Sequence, residues 1–84
     1  MTDVTMYSSD NCGYCVLAKR LLAKRGIAPR EINLDTQPAL RADLMARTGR
    51  RTVPQIFIGD QHIGGFDELA LLERQGKLEA MLRG

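Results

Sequence analysis

Val4-Thr5-Met6-Tyr7 is a short β-rich run that stops at the polar stretch Ser8-Ser9-Asp10-Asn11, so the pattern predicts a strand delivering the chain to a loop. From Gly13 the apolar period changes. Cys15, Ala18 and Leu22, with Leu17 and Leu21, fall on one broad helical face, and Lys19, Arg20, Lys24 and Arg25 lie outside it. Lys24 and Arg25 suit the negative end of a helix, and Gly26 followed by Pro29 stops it, so the first helix is expected from about the cysteine pair to Arg25. Arg30-Glu31-Ile32-Asn33-Leu34 alternates polar and apolar and reads as a second strand. Asp35-Thr36 can cap a second helix with Pro38 near its first turn. That helix should present Leu40, Leu44 and Met45 inward, pair Asp43 with Arg47 one turn later and end at Gly49.

Beyond Arg50-Arg51 the pattern becomes Pro54-Gln55-Ile56-Phe57-Ile58, Gly59-Asp60, then Gln61-His62-Ile63-Gly64, a β-hairpin with a two-residue turn. Asp67-Glu68 opens a third helix with Leu69 and Leu72 inward; Gly76 interrupts it, and Leu78, Met81 and Leu82 continue a short terminal helix. Strand, helix and strand form a right-handed parallel unit, and the hairpin completes it. The expected class is α/β, with a mixed four-stranded sheet and helices on both faces. Eighty-four residues without linker, repeat or low-complexity stretch imply one domain, residues 1–84.

Charge changes the picture little. The net charge is +2 with no block of like sign, which gives no reason to expect nucleic acid or an anionic membrane as partner. No apolar run approaches about 18 residues, and Met1-Thr2-Asp3-Val4 lacks the basic-then-apolar order of a secretory signal, so the expectation is a cytoplasmic protein.

The chemistry concentrates on Cys12-Gly13-Tyr14-Cys15, which holds both cysteines of the chain at the carboxyl end of the first strand, where open α/β sheets place their sites. Free N–H groups and the positive dipole end of the following helix favour a thiolate there, and two thiols at this spacing can close a small ring. A structural disulfide is a poor alternative, because so short a ring removes little unfolded-chain entropy. A zinc site is another, but it needs about four ligands, and besides these thiols the chain offers only the distant His62. In a reducing compartment the pair reads as reversible redox chemistry, with no metal site expected.

Two further groups carry weight. Thr52-Val53-Pro54 is either a plain edge-strand start or a cis Val53-Pro54 bond that leaves the Val53 N–H and C=O free for an extended, peptide-like substrate. Gly64-Gly65-Phe66-Asp67 is either a flexible turn with Asp67 as helix cap, or a close backbone approach whose N–H groups take a carboxylate while Asp67 takes an amine. Tyr14 flanks a groove or covers the helix start. Phe57 and Phe66 suit core or groove wall, and His62 suits a partly packed surface position.

Together, Cys12-Gly13-Tyr14-Cys15, Thr52-Val53-Pro54 and Gly64-Gly65-Phe66-Asp67 resemble, in that order, the small dithiol bacterial type of the glutaredoxin family, and the resemblance covers nearly the whole chain. It implies a thioredoxin-like fold with strand order 2-1-3-4, strand three antiparallel to strand one, and a cis Val53-Pro54 bond. It implies glutathione as co-substrate, glutathionylated or disulfide-containing proteins as clients, and a monomer. Cys12 would be the nucleophile, Cys15 the resolving thiol, and Val53 the backbone partner of the glutathionyl cysteine. Tyr14, Thr52 and Pro54 complete the binding set, with Gly65, Phe66 and Asp67 at the γ-glutamyl end.

Two positions depart from the family pattern. Ser8-Ser9-Asp10 stands where many relatives have a lysine, which leaves Arg47, Arg50 or Arg51 to supply the cation. Gly13 stands where dithiol relatives usually have proline, and by resemblance this implies some capacity to hold a 2Fe-2S cluster across a dimer. Two rival functions follow: an iron–sulfur carrier, and a glutaredoxin-like redoxin reduced by thioredoxin reductase.

Overall fold

The computed structural model describes residues 2–84. Its elements are β1 (Val4–Ser8), α1 (Gly13–Lys24), β2 (Arg30–Asn33), α2 (Leu40–Thr48), β3 (Gln55–Ile58), β4 (Gln61–Gly64), α3 (Phe66–Arg74) and α4 (Leu78–Arg83). The strands form one sheet in the order β2-β1-β3-β4. β1 runs parallel to β2 and antiparallel to β3, and β3 pairs antiparallel with β4. This is the mixed sheet and the strand order that the motifs imply. No helix among the described residues is long and apolar enough to cross a membrane.

Period-two alternation divides the core. Val4, Met6, Ile56 and Ile58 meet Cys15, Ala18 and Leu22 of α1, Leu69 of α3, and Leu78 and Leu82 of α4 on one face. Tyr7 and Phe57 meet Leu34 and Leu44 of α2 on the other. Burial of a large apolar side chain contributes about 1.5–3 kcal/mol, so the first face carries most of the stabilisation and anchors the N-terminal turn of α1.

Several local expectations are corrected. Leu17 and Met45 are 40% and 39% exposed rather than inward. Each lies about 100° round its helix from a buried neighbour, Ala18 or Leu44, and so falls on a flank. α2 starts at Leu40, not after Asp35-Thr36, because both capping side chains are engaged in the preceding turn. Asp35 accepts from the Asp10 N–H and from Arg41, while the Thr36 hydroxyl donates to the Asn33 carbonyl. Asp43 and Arg47 meet through Tyr7: its hydroxyl donates to Asp43 at 3.3 Å and accepts from Arg47 at 2.9 Å. Gly49 ends α2 as expected, in the left-handed conformation at φ 71°.

Candidate active site

The loop after β1 turns through Asn11, at φ 56°, and sets Cys12 as the N-cap of α1. Its sulfur accepts a hydrogen bond from the Cys15 N–H at 3.1 Å, so the cysteine does what serine or aspartate does at other helix starts. Cys12 is half-buried and Cys15 is 3% exposed, packed into the core. The two sulfurs are bonded to each other, with Cα atoms 5.2 Å apart. The first turn of α1 has no acidic residue, so nothing there offsets the positive helix end that favours a Cys12 thiolate after reduction.

Opposite Cys12 lies the 52–54 loop. The Val53-Pro54 bond is cis, and the Val53 carbonyl oxygen lies 3.9 Å from the Cys12 sulfur. This loop packs against the turn before α3: a Cβ placed on Gly65 would sit 3.3 Å from the Pro54 carbonyl oxygen, and one on Gly64, at φ 118°, would strike the Glu68 side chain. Glycine is therefore required at Gly64 by conformation and favoured at Gly65 by space.

Asp67 is not the helix cap. α3 starts at Phe66 with Gly65 as N-cap, and it is Glu68 that reaches back, accepting from the Gly65 N–H at 2.8 Å and from Arg50 at 2.7 Å. Those two bonds, led by the Gly65 N–H, hold the Glu68 carboxyl below its ordinary range. The bond to Arg50 also ties the two walls of the groove together and leaves Asp67 exposed.

Tyr14, Thr52, Val53, Pro54, Gly65, Phe66 and Asp67, all singled out in the sequence, line one groove of about 250 Å³ beside the cysteine pair. The rings of Tyr14 and Phe66 lie 6.2 Å apart at one end. Of the three arginines considered, Arg50 lines this groove. Arg47 is drawn away to Tyr7 and stacks 4.2 Å over Phe57, while Arg51 lines a separate cavity with Leu34 and Met45. Glu68 and Gln55 line the groove too and were missed in the sequence. The spacing Gly65-x-x-Glu68 carries half of a capping-box signal that could have found the first. Gln55 gave no signal, sitting in a run that reads as strand. A second, polar groove of about 480 Å³, lined by Ser9, Asp10, Lys19 and Glu31, flanks the cysteines on their other side.

His62 is half-buried. Its Nε2 lies 2.8 Å from Gln55 Oε1 and its ring 5.1 Å from that of Phe57. Burial first, then the Arg50 charge, pushes its pKa below the usual imidazole value.

A Cys-x-x-Cys at the start of a helix, fed by an inner strand of a four-stranded mixed sheet and facing a cis-proline loop, defines a protein of thioredoxin-like fold with a redox-capable cysteine pair. The glutaredoxin family model matches residues 4–63. The chain is 49% identical over 82 residues to a glutaredoxin of Pseudomonas aeruginosa, covering 98% of each chain. It is 43% identical over 83 residues to glutaredoxin 3 of Escherichia coli, covering 99% of this chain and all of that one. The crystal structure of a buckwheat glutaredoxin–glutathione complex superimposes with a TM-score of 0.91 at 40% identity, over 98% of this chain and 77% of that one. This chain belongs to the glutaredoxin family.

Proposed function

We propose that this protein is a glutathione-dependent oxidoreductase that reduces glutathionylated and disulfide-bonded proteins through Cys12 and Cys15. The observation that carries this reading is the groove beside Cys12, whose lining offers the Val53 peptide edge together with a cation, Arg50, and an exposed carboxylate, Asp67. A tripeptide with a carboxylate at one end and an α-amino acid at the other matches that distribution. The superimposable buckwheat protein was solved with glutathione, which supports the same occupant. Val53 pairs with the glutathionyl cysteine. Gly65, Phe66 and Asp67 hold the γ-glutamyl end, Arg50 takes the glycyl carboxylate, and Tyr14, Thr52 and Pro54 form the walls.

In the reaction the Cys12 thiolate attacks the glutathionyl sulfur, forming a Cys12–glutathione disulfide as the client thiolate leaves and takes up a proton. A second glutathione thiolate then attacks the glutathionyl sulfur, which frees Cys12 and yields glutathione disulfide. With a protein disulfide, Cys12 first forms a mixed disulfide with the client. Cys15 then attacks the Cys12 sulfur and releases the client as a dithiol, and two glutathione molecules restore the pair. Cys12 acts first because it is the more exposed sulfur and the one at the helix end. A thiol pair that must be reduced at every turnover suits the cytoplasm, and one chain carries the whole site as a monomer.

Gly13, on which the 2Fe-2S reading rests, meets nothing within 4 Å of an added Cβ, so its surroundings favour neither that carrier nor the dithiol enzyme. The test is reduction of a glutathionylated peptide with glutathione and glutathione reductase, run beside the same reaction with thioredoxin and its reductase. Turnover in the first and none in the second is expected; the reverse would replace this reading with the thioredoxin-reductase rival.

A further inference from the structure

Gln55 is 1% exposed, yet its side chain is polar and lies at the floor of the groove. Its amide orientation is settled by its partners. The Thr52 carbonyl can only accept, so the Gln55 NH2 must face it, at 3.1 Å, with the Thr52 hydroxyl at 3.3 Å. That turns Gln55 Oε1 toward His62, whose Nε2, 2.8 Å away, must then carry a hydrogen. His62 is itself held in place: it is the cross-strand partner of Phe57 and lies against that ring. A chain of hydrogen bonds therefore runs from β4 through a buried amide to Thr52, the residue before Val53.

We infer that Gln55 is a positioning residue: held by His62, it fixes the Thr52 carbonyl and so aims the Val53 backbone edge at the substrate. The inference rests on the proposal that Val53 pairs with a glutathionyl peptide. The physical reason is that residues 52–54 lie outside any strand or helix, so the ladder does not set the peptide planes there. A buried amide bonded at both ends can do so, since Gln55 is 1% exposed and any rotation would leave its own N–H or oxygen unpaired in the core. Both ends are needed, because without His62 the amide keeps only its bonds to Thr52 while its own oxygen is left without a partner in the core.

The test is single-turnover reaction of the reduced protein with a glutathionylated peptide at varied concentration, beside cystamine, a disulfide with no peptide backbone to align. His62→Leu and Gln55→Met should each raise the half-saturating peptide concentration about tenfold, the scale of one lost aligned hydrogen bond. In His62→Leu, whose altered side chain lies outside the groove, the limiting rate should change by less than twofold and the rate constant with cystamine should change little. His62→Gln, which returns an N–H donor at the same reach, should restore the wild-type value. A merely structural role predicts that the limiting rate falls with both substrates in step with thermal stability, and that His62→Gln rescues neither. If His62→Leu is folded and binds the peptide as wild type does, the inference is overturned even should Gln55→Met fail to fold. If instead the wild type itself shows no preference for the peptide over cystamine, it is the Val53 pairing beneath the inference that fails.

Discussion

The sulfur of Cys12 lies 3.9 Å from the carbonyl oxygen of Val53, across a sequence separation of 41 residues. In the disulfide that sulfur has no hydrogen to donate, so the contact is one of position: it sets the attacking atom beside the peptide edge on which a substrate would lie. Reduction gives Cys12 either a thiol hydrogen facing that oxygen or a thiolate held by the Cys15 N–H.

The two cysteines should therefore separate by substrate. Cys12→Ser is expected to abolish thiol transfer with every substrate. Cys15→Ser should retain deglutathionylation of a peptide and lose most reduction of a protein disulfide, since only that route needs a resolving thiol. Rates measured with both substrates check this, and equal loss in the two variants would reject the assignment.

Asp67→Ala should lower kcat/KM for a glutathionylated peptide by about tenfold through loss of a charge-assisted contact to the γ-glutamyl amine. Because Glu68 and not Asp67 bonds the Gly65 N–H, the urea unfolding midpoint should hardly move. A large loss of stability with unchanged kinetics would make Asp67 a structural residue after all.

Gly13 is the first residue of α1 and follows Cys12 in an extended conformation, φ −105° and ψ 102°. Both features suit proline at position 13. Gly13→Pro should leave the fold intact and raise stability by about 0.5–1 kcal/mol, by restricting the unfolded chain. The same variant tests the cluster expectation: anaerobic reconstitution with iron, sulfide and glutathione should colour the wild type and shift it to a dimer, and the proline should suppress both. A colourless wild-type monomer, or equal loading in the two, rejects it.

The pH dependence follows from two lowered pKa values. His62, lowered by burial and then by Arg50, is disfavoured as a cation in the folded state. The unfolded chain therefore binds more protons as pH falls through about 6.5. Stability present above that pH should decline down to the folded-state value, and His62→Gln should flatten that stretch of the urea midpoint curve. Glu68, held low by the Gly65 N–H and Arg50, adds a second decline at more acid pH, from about 4.5 down to its own folded value. Arg50→Ala should raise both pKa values in an NMR titration, and an unmoved Glu68 would disprove the tie across the groove.

The sequence by itself determined the order and type of every element, because each local pattern agreed with the fold that followed: the β-rich run of β1, the alternation in β2, the period change at Gly13, the stop at Gly49, the turn at Gly59-Asp60. It also determined the reacting pair, since Cys12 and Cys15 are close in the chain and needed no tertiary information to be brought together. Only the tertiary structure decided which side chains complete the site. Arg50 rather than Arg47 or Arg51 reaches the groove, because Tyr7 and Phe57 hold Arg47 and the chain turns Arg51 to another face. Glu68 displaces Asp67 as the helix-start partner, Asp35 and Thr36 are drawn into the turn before α2, and a strand glutamine becomes the floor of the groove. Each of these turns on competition between polar groups for partners distant in sequence. Residue types and spacing name the candidates in such a competition, and only the packed geometry selects among them.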